Sequence, residues 1–143
     1  MPSKEAVQAF FDFYKKLDKN CTFRLNEYYA NEVIFEDPLH QVVGLESLIM
    51  YFDQLYARVS EVHFEFSEPD VLADRVWCSW EMIYRHPSIN ASQPVRVVGA
   101  SRLDWEGDKI IAHRDFFDAG QMLWEQLPVM RSVISMLKRR MAG

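Results

Sequence analysis

The strongest constraint on the fold is an alternation of apolar and polar residues that recurs through the second half of the chain. The segments 62–66, 75–86, 94–105 and 109–118 each alternate with a period of two, which is typical of β-strands. A tight turn at Gly107 joins the last two segments. Four strands joined by short connections predict an antiparallel meander.

The first half of the chain has the spacing of helices. Apolar side chains recur every three or four residues in segments 3–17 and 45–59, and segments 22–30 and 120–140 have a helical composition. Pro128 is expected to interrupt the last helix. Helices followed by a meander predict an α+β fold, in which helices pack on a curved, mainly antiparallel sheet that encloses a pocket. We expect one domain over residues 1–143.

One further strand, at residues 33–37, carries a carboxylate on its apolar face. Val33, Phe35 and Asp37 share one side of a strand that Pro38 ends, so an inward Phe35 implies an inward Asp37. An inward carboxylate must be paired, be neutralised or work at a cavity. The alternative is that Asp37 caps the turn before Pro38, a common use of Asp-Pro. The pattern leaves both interpretations open.

A second carboxylate lies on the last predicted strand. One face of that strand mixes apolar and charged residues, namely Ile111, His113, Asp115 and Phe117. Charges in an aromatic strand are costly unless they are satisfied. One interpretation is an ion-pair lattice across strands, with Arg114 paired to Asp118 or to Asp104. The other is that His113 and Asp115 line the same pocket as the first carboxylate.

The composition argues against several classes of function. A net charge of −5 and a pI near 5.3 give no basic surface for nucleic acid, so we expect no nucleic-acid partner. The first five residues carry charge and no apolar core, so we expect no signal peptide, and we expect no membrane span because no apolar run is long enough. Cys21 and Cys78 are expected to be reduced thiols of a cytoplasmic protein. The four histidines lack metal-ligand spacing, so we expect no metal and no cofactor.

The order of elements resembles that of a known superfamily. Two helices, a strand ending in Glu36-Asp37-Pro38, a helix and a four-stranded meander are similar to the nuclear transport factor two-like superfamily, particularly its SnoaL-like and ketosteroid isomerase-like bacterial members. The resemblance covers nearly the whole chain and implies a cystatin-like α+β cone. In ketosteroid isomerases the Asp of this motif is the general base and a first-helix Tyr donates to the oxyanion. These roles fall on Asp37 and Tyr14. The family's second oxyanion donor, an Asp, has no counterpart in residues 99–101.

The end of the last strand resembles a second group within the superfamily. Limonene-epoxide hydrolases carry an Arg-Asp-Tyr-Phe-Asp motif, which is similar to Arg114-Asp115-Phe116-Phe117-Asp118. The first Asp of that motif donates a proton to the epoxide, so the resemblance gives this role to Asp115. The Arg that accompanies it on an earlier strand is missing from residues 78–82. SnoaL-like cyclases use an acid/base Asp in the same region without requiring that Arg.

Two functions from different classes follow from these observations. The first is a cofactor-independent isomerase, cyclase or hydrolase that acts on a small, mostly apolar molecule with buried carboxylates. The second is a noncatalytic ligand-binding or dimerisation module. The predicted catalytic residues are Tyr14, Asp37, His113 and Asp115, and the predicted ligand-binding residues are Phe35, His40, Tyr56, Trp80 and Phe117. The resemblance also implies a homodimer that forms through the outer face of the sheet.

Overall fold

A computed structural model describes residues 1–57, 59–122 and 128–142, except the side chains of residues 90 and 121–134. The helices are α1 (Lys4–Lys15), α2 (Leu45–Ala57), α3 (Ala119–Met122) and α4 (Pro128–Ala142), with 3-10 turns at Thr22–Glu27 and Asn90–Ser92. The strands are β1 (Tyr29–Glu36), β2 (Gln41–Val43), β3 (Glu61–Phe66), β4 (Asp70–Leu72), β5 (Arg75–Arg85), β6 (Val95–Glu106) and β7 (Lys109–Phe117).

All seven strands belong to one curved, unclosed sheet. Its order is β2-β1-β7-β6-β5-β3, and β4 pairs with β5 beside this path. The predicted meander is confirmed, because β3, β5, β6 and β7 pair antiparallel in that order. Strand β1 joins the meander at its far end and runs parallel to β7. The α+β fold class predicted from the alternation is therefore confirmed.

Helices α1 and α2 pack on the concave side of the sheet through apolar stripes. The N-terminus of α1 is capped by Ser3, whose Oγ accepts a hydrogen bond from the backbone N–H of Ala6 at 3.1 Å. The buried residues of the two helices are Val7, Phe10, Phe11, Phe13 and Tyr14 in α1 and Leu45, Leu48, Phe52 and Tyr56 in α2. These side chains form one core with the inward residues of the strands.

Two local expectations were wrong, and a third concerns a segment that the structure describes in part. The predicted helix over residues 22–30 is a 3-10 helix that ends at Glu27, and Tyr29 begins β1, which pairs with β7. Strands β2 and β4 were not expected, since three residues are too few to show an alternation. The third segment, predicted as a helix over 120–140 with an interruption at Pro128, is described as α3 up to Met122 and as α4 from Pro128, where the missing N–H costs nothing. Residues 123–127 lie outside the described residues.

The described helices are short, and the longest, α4, has 15 residues. Within residues 1–57, 59–122 and 128–142, no helix is long and apolar enough to cross a bilayer.

Candidate functional site

A cavity of about 300 Å³ lies between the concave face of the sheet and helices α1 and α2. This volume is at the lower end of the range of about 300 to 1,000 Å³ that small-molecule pockets occupy. Twelve residues of its wall are aromatic: Phe10, Phe11, Tyr14, Phe35, Tyr51, Phe52, Tyr56, Phe64, Phe66, Trp80, Tyr84 and Phe117. Two carboxylates, Asp37 and Asp115, interrupt this apolar wall. The cavity can therefore enclose a small, mostly apolar molecule beside groups that transfer protons.

Asp115 lies in the middle of a chain of hydrogen bonds. Its Oδ1 accepts a bond of 2.5 Å from Oγ of Ser101, which faces it across β6 and β7, and lies 2.7 Å from Nε2 of His113. No hydrogen bond from the part of the chain that the structure describes reaches Oδ2 of Asp115. The side chain is 13% exposed. One carboxylate oxygen is thus held in place, and the other remains available for a ligand.

The tautomer of His113 follows from its two partners. The hydroxyl of Tyr29 lies 2.7 Å from Nδ1 of His113. Burial, followed by the charge of Asp115, raises the pKa of Tyr29 well above its usual value, so this hydroxyl keeps its proton and donates it to Nδ1. With Nδ1 as the acceptor, Nε2 carries a proton and donates to Oδ1 of Asp115. His113 therefore orients the carboxylate.

The far end of the chain depends on the absence of a side chain at Gly99. The indole Nε1 of Trp80 donates to Oγ of Ser101 at 2.8 Å, which leaves the hydroxyl proton free to point at Asp115. A Cβ at Gly99 would lie 2.5 Å from two ring atoms of Trp80 and 2.7 Å from the carbonyl oxygen of Phe116. Only glycine therefore lets the indole lie across β6 in this orientation.

Asp37 has a different environment at the end of β1. Its Oδ1 accepts bonds from the backbone N–H groups of Leu39 at 2.8 Å and His40 at 2.7 Å. Its Oδ2 accepts a bond of 2.7 Å from the hydroxyl of Tyr51, while its side chain is only 6% exposed. Both sequence interpretations thus describe part of the arrangement, because Asp37 caps its turn and also lines the cavity.

Two tyrosine hydroxyls in the cavity are free donors. Tyr14 and Tyr56 are both buried and both line the cavity, and no hydrogen bond from the described residues reaches either hydroxyl. Burial raises the pKa of Tyr14 well above its usual value, and Tyr56 and Asp115 raise it further. Burial and then Asp115 likewise raise the pKa of Tyr56. Both groups therefore remain protonated and can donate to an oxygen of a bound molecule.

All nine predicted site residues line this one cavity: Tyr14, Phe35, Asp37, His40, Tyr56, Trp80, His113, Asp115 and Phe117. Their catalytic and binding roles stay predictions. The sequence did not single out Tyr29, Tyr51 or Ser101, which hold the two carboxylates and His113 in place. Ser101 is two residues before the buried Leu103 on β6, so the alternation of the strand alone could have predicted that its side chain points inward.

The expected ion-pair partners of Arg114 were wrong. Arg114 lies 3.8 Å from Glu36 and its guanidinium stacks on Phe116, whereas Asp104 pairs with Arg75 at 2.7 Å. These pairs lie on the convex face of the sheet, because Arg114 and Phe116 alternate with the inward residues of β7. The convex face therefore carries the lattice, and Asp115 is not part of it.

The same cavity wall contains a cysteine and several groups that can bind metals. Cys78 is a buried free thiol of the cavity wall, and burial, with Asp115 second, raises its pKa to about 12. A thiol that stays protonated is a poor nucleophile. In the parts of the chain that are described, no three His, Cys, Asp or Glu side chains come together as a metal site would require.

Comparison with known families gives the identity of the fold. The family model for the SnoaL-like domain matches residues 7–113. The chain belongs to this SnoaL-like family. The resemblance inferred from the Glu-Asp-Pro strand end and the meander is thus confirmed. No curated protein matches the sequence.

Solved structures similar to this SnoaL-like domain share its architecture at low identity. A protein of ketosteroid isomerase-like fold from Catenulispora acidiphila, in complex with trimethylamine, has a TM-score of 0.71 and 17% identity over 87% of this chain and 92% of its own. A candidate SnoaL-like polyketide cyclase from Shewanella putrefaciens has a TM-score of 0.72 and 16% identity over 89% of this chain and 98% of its own. A candidate isomerase of the SnoaL-like family from Agrobacterium tumefaciens has a TM-score of 0.62 and 17% identity over 80% of this chain and 96% of its own. Identity this low supports the fold alone.

Proposed function

We propose that this SnoaL-like domain is a cofactor-independent enzyme that moves a proton on a small, mostly apolar carbonyl compound. The observation that carries the proposal is the free Oδ2 of Asp115 in the same apolar cavity as the unbonded hydroxyls of Tyr14 and Tyr56. A fixed carboxylate can take a proton from carbon, and two fixed donors can stabilise the oxygen that becomes negative. Relatives of similar fold described as candidate cyclases and isomerases support this class of reaction.

Each proposed step uses groups of the cavity wall. Oδ2 of Asp115 removes a proton from the carbon next to the carbonyl, and the electron pair of the broken C–H bond forms a C=C bond. The carbonyl oxygen becomes an enolate oxygen that Tyr14 and Tyr56 stabilise by hydrogen bonds. Where a C=C bond adjoins the α-carbon, the enolate is conjugated, and return of the proton from Asp115 to the far carbon of that bond shifts the double bond and completes an isomerisation. In a cyclisation, the enolate carbon instead forms a C–C bond to a second carbonyl of the same molecule, the π bond of that carbonyl breaks, and its oxygen takes the proton from Asp115.

Asp37 and His113 have supporting roles in this proposal. His113 fixes the orientation of Asp115 through Nε2, as Tyr29 fixes His113 through Nδ1. Both oxygens of Asp37 already accept hydrogen bonds, which favours a role in orienting the ligand or as a second acid/base group that acts after a partner moves. This assignment departs from the sequence-based prediction that Asp37 is the general base, and variants of both carboxylates decide between them.

The tyrosine donors provide the first test. With 2-tetralone as the probe, we expect the protein to accelerate the exchange of the ketone's acidic α-hydrogens for deuterium in D₂O, measured by proton NMR. Tyr14→Phe and Tyr56→Phe should each lower the rate by about 100-fold, because each removes one donor to the enolate oxygen.

Tyr28→Phe is the matched control for these variants. Tyr28 is partly buried against Phe13 and does not line the cavity, so its loss of a hydroxyl should leave the exchange rate unchanged. Exchange no faster than in buffer alone would contradict the proposed reaction, as would equal rates in wild-type protein and in both cavity variants.

The second candidate is a noncatalytic ligand-binding module. It is favoured by the complete hydrogen bonding of Asp37 and by the lack of a second carboxyl donor in residues 99–101. Such a module would bind 2-tetralone and leave its hydrogens in place. The NMR exchange experiment, together with a binding titration of the same ketone, separates the two functions.

We also propose that two copies associate through the convex face of the sheet. Trp77 and Phe116 stack there with ring centroids 5.9 Å apart, and Val98 and Phe116 are 45% and 38% exposed. Within the described residues, no hydrogen bond reaches the buried Nε of Arg102 on the same face. An apolar patch with an unmet donor is suited to a self-complementary interface.

Substitution of Phe116 tests this dimer. We expect light scattering after gel filtration to give twice the chain mass for the wild type and the single mass for Phe116→Glu, because a charge would be buried at the interface. Phe23→Glu, at a residue that is 68% exposed on the 3-10 turn, should remain dimeric. A monomeric wild type at micromolar concentration would contradict the proposal.

A further inference from the structure

The cavity wall has an excess of negative charge. Its described lining residues include the carboxylates of Asp37 and Asp115 and no Lys or Arg. The three histidines of the wall already have polar neighbours. Nε2 of His113 lies 2.7 Å from Asp115, Nδ1 of His86 accepts from the backbone N–H of Ser88, and His40 is half exposed, 3.5 Å from Asp37.

The charge of Asp115 acts on many groups of the wall. After burial, it contributes to the raised pKa values of Tyr14, Tyr51, Tyr56 and Cys78, which lie on both helices and on β5. The carboxylate thus acts on groups from both helices and from the sheet. It would repel an anionic ligand in this cavity.

The aromatic residues add to this preference. The face of an aromatic ring carries partial negative charge, which attracts alkylated ammonium groups in particular. Rings from the helices and from the sheet line the same cavity as Asp115, for example those of Tyr14, Phe35 and Trp80. Methyl groups on nitrogen can pack against these rings, whereas a bare ammonium would lose more hydration on entry.

We propose that the ligand of this cavity carries a protonated tertiary amine, held by Oδ2 of Asp115 and by the surrounding aromatic rings. The single N–H of such an amine can donate a charge-assisted hydrogen bond to Oδ2, which accepts no hydrogen bond from the described residues. The alkyl groups on the nitrogen then fill the apolar space around it. The inference goes beyond the proposed function: it concerns which molecule the cavity binds and is tested without turnover, and an amine held at Oδ2 would occupy the oxygen that the proposed reaction uses as its base.

Three probes of similar size separate charge from shape. The first is 3-(dimethylaminomethyl)phenol, which is a cation at neutral pH, and the second is its neutral isostere 3-isobutylphenol. The third is 3-hydroxyphenylacetate, which is an anion. By isothermal titration calorimetry we expect the amine to bind the wild type at least about 10-fold more tightly than the isostere, and the anion to bind more weakly than both.

Matched carboxylate variants locate the charge that is responsible. Asp115→Asn should weaken binding of the amine by about 10-fold and change the affinity for 3-isobutylphenol by less than about twofold, because only the cation loses its partner. Asp104→Asn makes the same change of charge on the convex face of the sheet and should leave the amine's affinity unchanged. Thermal unfolding of each variant verifies that it is folded.

Several outcomes would overturn the inference. Equal or tighter binding of 3-isobutylphenol by the wild type would do so without any variant, as would the absence of measurable binding of the amine. An equal loss in Asp104→Asn and Asp115→Asn would mean that the net charge of the protein, rather than the cavity, attracts the cation. If the protein accelerates hydrogen exchange on 2-tetralone but binds the amine no more tightly than 3-isobutylphenol, the proposed reaction stands and the inference that the ligand is a cation is wrong.

Discussion

Asp115→Asn is expected to lower the rate of α-hydrogen exchange on 2-tetralone by about 10²- to 10⁴-fold, which is the typical contribution of general acid–base catalysis. The amide keeps the size of the carboxylate and can still accept from Ser101 through its oxygen. What it loses is the basic Oδ2 that would take the proton. NMR exchange rates of the wild type and the variant give the magnitude directly.

Asp37→Asn is the informative comparison. Because both oxygens of Asp37 already accept hydrogen bonds, we expect this variant to lose less than Asp115→Asn. Binding of 3-isobutylphenol verifies that the cavity of each variant is intact. A larger loss in Asp37→Asn would return the role of general base to Asp37, as the Glu-Asp-Pro motif predicted, and full activity in Asp115→Asn would remove Asp115 from the reaction.

Gly99→Ala is expected to lower the free energy of unfolding by about 1 to 3 kcal/mol, the usual cost of overpacking a core. The new Cβ would overlap the indole of Trp80 and approach the carbonyl oxygen of Phe116, so the ring or the strand must move. Movement of the ring also breaks the bond from Trp80 to Ser101 and with it the support of Asp115. Urea unfolding followed by circular dichroism measures the stability.

A double-mutant cycle assigns that cost to the indole. In a Trp80→Ala background, Gly99→Ala should cost less, because the overlapping ring atoms are gone. Gly107→Ala is a suitable control, since its Cβ meets open space and its cost comes only from the positive φ of 59°. That cost should be the same in both backgrounds. Equal costs for Gly99→Ala with and without the indole would contradict the packing described for Trp80.

The fold could be predicted because its strands are long. Eleven residues of β5 and twelve of β6 give an alternation that few other structures share. The inward direction of Asp37 was likewise predictable, because Val33 and Phe35 precede it on the same face and are 0% and 2% exposed. Which face of a strand a side chain occupies depends only on its position along that strand, so the sequence is enough to predict it.

Contacts between strands were not predictable, because they depend on register. Ser101 faces Asp115 only in the observed pairing of β6 with β7. A register shift after Asp104 also reverses parity near the start of β7: Ile110 is fully buried, whereas Ile111, expected on the pocket face, is only half-buried. Tyr29 was not predicted as a site residue because residues 22–30 were predicted to form a helix, whereas Tyr29 begins β1. No pattern in one strand reports where its neighbour begins.

The parallel pairing of β1 with β7 has a consequence for how this protein is made. Phe35 lies opposite His113, so two segments nearly eighty residues apart must meet before the two carboxylates share one space. Such distant pairing costs loop-closure entropy and makes folding slow. During synthesis the helices and the first strand leave the ribosome with their aromatic faces uncovered until β7 follows. For that interval the nascent chain exposes the surface that later encloses the cavity, and exposed apolar surface of this kind is prone to aggregation.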